Sequence, residues 1–155
     1  MPENVEKERI YNGLYRHSAD SKRRVPIPFR WRPEKSDESF EFTLIIWPKH
    51  QAGTCLRVLP PDQMAKLLGG IDALADSDPN KGVLKRWIGT DSVQAKLDSV
   101  GRVTVPEDMA AAADIKDEVV LAGMLNRFEM WNPKRYEQVQ SSDKAILSQA
   151  IQFLE

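Results

Sequence analysis

The residues whose types and spacing could do chemistry fall in two matching turns, Asp20-Ser21-Lys22-Arg23-Arg24-Val25-Pro26-Ile27-Pro28 and Asp98-Ser99-Val100-Gly101-Arg102-Val103-Thr104-Val105-Pro106. Both read Asp-Ser-x-x-Arg-Val-x-(Ile/Val)-Pro. An aspartate four residues before an arginine can accept hydrogen bonds from the turn amides and pair with the guanidinium, so Asp20, Asp98, Gly101 and Arg102 are assigned to holding the shape of a hairpin. The copies differ at the tip, where Lys22 and Arg23 stand in the first and Val100 and Gly101 in the second. Two cations on a projecting ribbon offer recognition of a polyanion, and the width of a two-stranded ribbon fits the major groove of DNA. The surroundings reinforce the charge: from Arg16 to Lys35 the cations are Arg16, Lys22, Arg23, Arg24, Arg30, Arg32 and Lys35, against Asp20 and Glu34. The net charge of -1 shows that this basicity is local.

Covalent and metal chemistry find no constellation. The sequence has two histidines, His17 and His50, and one cysteine, Cys55, so a three- or four-ligand zinc site would need carboxylates at no recognisable spacing. Ser18 and Asp20 near His17 suggest a nucleophilic triad only by proximity, since adjacent strand residues point to opposite faces. No glycine-rich phosphate loop occurs. No catalytic residue, metal or cofactor is expected. Cys55, in an apolar stretch before Leu56, reads as a small buried hydrophobe. Apolar runs such as Leu44 to Trp47 are far short of the roughly 20 residues a membrane span needs. A cytoplasmic, nucleoid-associated protein is expected.

The elements that must position the turns are short strands and helices. Ile10 to Tyr15 suggests a strand. Val93 to Leu97 and Arg102 to Val105 alternate apolar and polar residues as paired strands do, with a type I turn and an exit bulge at Asp98 to Gly101 between them. Phe40 to Trp47 with Thr54 to Leu59, and Asp117 to Gly123 with Arg127 to Trp131, form two further pairs. Helices are expected over Pro61 to Leu68, Lys81 to Ile88 and Glu107 to Ala113, from Asn132-Pro133 onward, and over Ser142 to Leu154, where Ile146, Ala150 and Phe153 share a face. Leu56-Arg57-Val58-Leu59-Pro60-Pro61 is echoed by Phe128-Glu129-Met130-Trp131-Asn132-Pro133, so the whole supersecondary unit is duplicated. Each unit alone has more edge than core, and two packed together would bury one another's apolar faces. The expected class is α+β, rich in β, a pseudo-dimer within one chain: a flexible lead over 1–9, a first unit over 10–68, a helical connector over 69–90, a second unit over 91–140 and a C-terminal helix over 141–155.

The pattern Tyr11-x-Gly13, Asp20-Ser21-Lys22-x-Arg24-Val25-x-Ile27-Pro28, Leu97-Asp98-x-x-Gly101-Arg102-Val103-x-Val105-Pro106, Glu118-Val119-Val120-Leu121-Ala122-Gly123 and Phe128-Glu129-Met130-Trp131 closely resembles the MraZ family of bacterial transcriptional regulators. The resemblance implies two AbrB-like swapped-hairpin domains per chain, assembly into a closed homo-oligomeric ring, and binding of double-stranded DNA at short direct repeats upstream of its own operon in the division and cell-wall gene cluster. It implies DNA contact by Lys22 and Arg24, and the local charge adds Arg16 and Arg23. The family usually has glycine where this chain has Arg23. A left-handed backbone there would cost a non-glycine residue about 1 to 2 kcal/mol, so either the turn is rearranged or DNA contact compensates, and a phosphate contact by Arg23 is expected. The segment from Trp31 to Thr54 also departs from the family pattern. The competing expectation, from a different class, is a ring-forming scaffold without DNA binding, in keeping with the near-neutral net charge.

Overall fold

The computed structural model describes residues 9–48 and 51–155. His50 and nearly all of the expected 1–9 lead lie outside the described residues. The strands are β1 (Leu14–Ser18), β2 (Arg24–Pro26), β3 (Phe42–Trp47), β4 (Cys55–Leu59), β5 (Ser92–Ala95), β6 (Arg102–Thr104), β7 (Glu118–Gly123) and β8 (Phe128–Trp131). The helices are α1 (Pro61–Asp72), α2 (Pro79–Thr90), α3 (Glu107–Ala113) and α4 (Pro133–Ile151). The class is therefore α+β, with every strand pair antiparallel.

Six strands form one sheet in the order β1-β7-β8-β4-β3-β5, and β2 and β6 form a separate two-stranded ribbon. The sheet order is symmetric about the β4–β8 seam. β1 from the first half pairs with β7 of the second, β5 from the second half pairs with β3 of the first, and β2 pairs with β6. This corrects one expectation: the strands on either side of the Asp98 turn are not each other's partners. The turn is formed, but β5 leaves it for the sheet and β6 for the ribbon, because pairing across the halves sets Ala95 beside Phe42 and Val103 beside Val25, all buried in the shared core. The pairs β3–β4 and β7–β8 are hairpins as expected.

The registers place equivalent residues of the two halves opposite one another, Val25 against Val103 in the ribbon and Arg57 against Glu129 in the sheet. An exact repeat would set like charges face to face at the second position; the divergence to Arg57 and Glu129 converts that repulsion into a 3.8 Å ion pair.

Alternation along the strands divides the core. One face of the sheet carries Phe42, Leu44, Leu56, Val58, Val119, Leu121, Phe128 and Met130, packed against Val25, Ile27, Val103 and Val105 of the ribbon and its continuations, and against α3. Tyr11 and Trp31 join it, the Trp31 indole N–H donating to the Asn12 carbonyl at 3.1 Å and its ring lying 4.8 Å from Phe128. Gly123 lets this lead cross the sheet: a Cβ there would collide with the Tyr11 carbonyl and the backbone of Asn12. The opposite face is covered by α1 and α2 through Ile45, Leu59, Ile71 and Ile88, and by α4 through Cys55, Val120, Trp131 and Val139.

Helix starts follow local chemistry. Asp78 accepts from the Asn80 amide and Asn132 from the Arg135 amide, each with proline next in the chain. α3 covers the expected residues. The two helices expected after Asn132 are a single one, because nothing between Tyr136 and Ser142 breaks it, and it ends in a 3-10 turn at Gln152–Leu154. The first expected strand begins later than its sequence suggested, at Leu14, with Tyr11 making an isolated bridge to Leu125.

Candidate nucleic-acid interface

Each Asp-Ser-x-x-Arg turn is built by its aspartate. Asp20 Oδ1 accepts from the Lys22 amide at 3.0 Å and the Arg24 amide at 2.8 Å, and Oδ2 from Arg24 Nε at 2.6 Å. Asp98 repeats this with the amides of Val100 at 3.0 Å and Arg102 at 2.9 Å, and with Arg102 Nε at 2.9 Å. Backbone bonds close both turns, Arg23 N–H to Asp20 O at 2.9 Å and Gly101 N–H to Asp98 O at 3.1 Å. The Arg24 amide, and with it the Arg24 guanidinium, holds the Asp20 carboxyl below its usual range. For Asp98, desolvation pushes upward, but the amide and guanidinium of Arg102 outweigh it and the carboxyl again lies low.

The fourth turn position is left-handed in both copies, φ 59° at Arg23 and 82° at Gly101. Arg23 offsets its strain locally: its Nε donates to the Val105 carbonyl at 3.0 Å. The other copy has the mirror arrangement with a different donor. Arg32, from beyond the repeated motif, stacks over Gly101, where a Cβ would strike its guanidinium, and its Nε donates to the Ile27 carbonyl at 2.8 Å. Ile27 and Val105 occupy equivalent positions, so each ribbon end is closed by one arginine. Arg32 stood in the sequence only as one of the basic cluster, and its position outside the repeat gave no sign of this role.

The ribbon buries Val25 and Val103 and turns Arg24, Pro26, Arg102 and Thr104 outward. Arg24 and Arg102 are about one-third exposed, and Arg102 Nη1 also lies 3.8 Å from Asp20 Oδ2, so the two turns are linked. Lys22 is exposed at the tip. The structure thus brings Lys22, Arg23, Arg24 and Arg102 together on one ribbon. Arg16 stands apart. It is exposed on edge strand β1 opposite Val120, on the face of the sheet covered by α4, whereas Tyr15 and His17 face the ribbon side. After the turns the halves diverge in sign: Phe29-Arg30 in the first, with Phe29 80% exposed, and Glu107-Asp108 in the second.

Groups of other chemistry are enclosed. Burial, and after it the Glu129 carboxylate, pushes the Cys55 thiol up to about 12. Among the described residues no cluster of three or more His, Cys, Asp or Glu is placed to hold a metal, and no helix is long and apolar enough to cross a membrane.

The chain is 30% identical over 127 residues to the transcriptional regulator MraZ of Halothermothrix orenii, covering 82% of this chain and 84% of that protein. The chain belongs to the MraZ family. The family model described as "MraZ protein, putative antitoxin-like" matches residues 89–152. The transcriptional regulators MraZ of Shewanella amazonensis and Pediococcus pentosaceus are likewise each 30% identical to this chain, over 92% and 83% of it and 93% and 85% of their own lengths. These relatives bear the names of transcriptional regulators, in line with the expectation of a regulator and not an enzyme.

Proposed function

We propose that this chain is a sequence-specific DNA-binding transcriptional regulator that uses the β2–β6 ribbon and the Asp20 turn as its reading head. The observation that carries the reading is the asymmetry of two turns of the same build: both hold an Asp–Arg brace, and only the first presents Lys22 at its tip. Lys22, the outer nitrogens of Arg23, and Arg24 face the DNA, with Arg102 of the second copy adding to the same charged ribbon. Arg16, on the other face of the sheet edge, contributes at most a peripheral phosphate contact. Asp20, Asp98 and Gly101 keep the turns in shape. Phosphate contacts of this kind position a protein, and base-edge contacts in the groove select the sequence.

The exchange of β1 and β5 between halves, with β2 paired to β6, supports reading the chain as two AbrB-like swapped-hairpin units, 10–68 and 91–140, joined by the helical connector 69–90 and followed by a terminal helix over 141–155. One short ribbon makes few contacts, so useful affinity comes from several subunits engaging spaced sites. A closed homo-oligomeric ring meets that need. The exposed apolar end of α4 and the 3-10 turn after it, with Leu147, Ile151, Phe153 and Leu154, is in keeping with further assembly. The relatives' names support regulation of transcription, and the target proposed is short direct repeats upstream of the chain's own operon, in the division and cell-wall cluster. Footprinting on that DNA tests the proposal. Protection of evenly spaced short repeats is expected, with binding weakened when one repeat is scrambled. Protection that ignores sequence would contradict specific recognition, and no protection at low salt would instead favour a ring-forming scaffold.

A further inference from the structure

A pocket of about 220 Å3 opens on the face of the sheet away from the ribbon, between α1 and the β4–β8 seam. It is walled by Trp47 and Leu59 and edged by Arg57, Gln63, Lys66 and Arg127. Three of these are cations, and one carboxylate, Glu129, is near. That carboxylate is already shared: Oε1 accepts from the Trp131 indole at 3.0 Å, while Oε2 lies 3.8 Å from Arg57 Nε and 4.0 Å from the Cys55 thiol. The Nε atoms of Arg57 and Arg127 are both buried and have no hydrogen-bond partner among the described residues. Arg57 also lies over the Trp47 ring, 3.4 Å from its centroid, which fixes the plane of its guanidinium. Burial, and after it the charge of Arg127, lowers the proton affinity of Arg57.

Two half-buried arginines that line one pocket, their Nε atoms enclosed without a bond and only Glu129 near to balance them, leave positive charge that an anion meeting their outer nitrogens would offset. We infer that this pocket binds a small oxyanion of phosphate type, gripped by Arg57 and Arg127 and neutralised further by Lys66. Guanidinium planes match the oxygens of a phosphoryl group, and Lys66 acts as a point charge at the rim. The volume admits phosphate or a small phosphate ester; it is below the roughly 300 Å3 at which pockets for larger ligands begin. The site lies away from the ribbon and stands independently of the DNA-binding reading.

Thermal unfolding at constant ionic strength, with chloride as reference, tests the site using inorganic phosphate and glycerol 3-phosphate. The wild-type protein is expected to show a saturable rise in Tm and a change in tryptophan fluorescence that disappears in Trp47→Phe. Arg127→Gln and the exposed Lys66→Gln should each weaken phosphate affinity, the former at least tenfold. Arg127→Gln should also leave Tm in phosphate-free buffer unchanged or raised, which loss of a merely structural arginine would not do. Lys22→Ala combined with Arg24→Ala should bind phosphate within twofold of wild type. Equal response to both probes assigns recognition to the phosphoryl group alone, and tighter binding of the ester places its carbon skeleton against Trp47 and Leu59. No saturable shift in the wild type, an unaltered response in both pocket variants, or loss of the response in the turn variant would overturn the inference.

Discussion

Arg23 shows how one side chain can carry both a strain and its compensation. Its left-handed backbone costs about 1 to 2 kcal/mol, and its bond to the Val105 carbonyl, a hydrogen bond from a charged donor, is worth about 1.5 to 3 kcal/mol. Arg23→Ala keeps the strain and loses the bond, so urea unfolding should show a loss of about 1.5 to 3 kcal/mol, whereas Arg23→Gly removes both and should stay within about 1 kcal/mol of wild type. A glycine variant less stable than the alanine variant would contradict this balance. The question of a left-handed backbone at this position was legible from the glycine usual in the family, but its remedy was not, because the Val105 carbonyl lies 82 residues further along the chain. Arg32 was illegible because it lies outside the repeated motif and because the Gly101 that it packs against comes from the other half. The turn carboxylates give a pH signature. Their folded-state pKa values lie below the ordinary 3.8, so the stability they confer is present above that value and is lost as pH falls through the lower folded values. Below about pH 4, wild type should therefore lose Tm more steeply than a variant with both Asp20→Ala and Asp98→Ala, and parallel curves would refute the brace.

Strands were readable one at a time and their partners were not. Short apolar runs marked β3, β4, β7 and β8, and their order in the chain made those pairs predictable hairpins. Around the Asp98 turn the same local signals are present, yet β5 joins β3 and β6 joins β2, since pairing across the halves completes a six-stranded sheet and covers it with the ribbon. Period-2 patterns record which face is buried, not against which strand. Gly123 tests the crossing that this topology requires. Gly123→Ala would press a Cβ against the Tyr11 carbonyl, where backbone must move, and should cost about 2 kcal/mol or more in chemical denaturation. A neutral effect would show that the Tyr11 segment is not held across β7.

Over the whole molecule, duplication gives a symmetric frame and divergence gives it polarity. The pair Arg57–Glu129 on the seam, Lys22 against Val100 at the tips, and Arg30 against Asp108 beyond them are all equivalent positions with unlike charge. Duplication was visible in the sequence, whereas the separation of Arg16 from the other basic residues was not, because the side of the sheet on which a strand residue lies is settled only by register. The central claim is that the basic tip of the first turn meets DNA. It is tested most directly by titrating the protein with DNA from upstream of its own gene across a range of salt concentrations, wild type against Lys22→Ala with Arg24→Ala. If both cations contact phosphate, the slope of log K against log salt falls by about 2 per subunit engaged, and affinity at low salt drops with it. The same slope and affinity in both proteins would contradict the account.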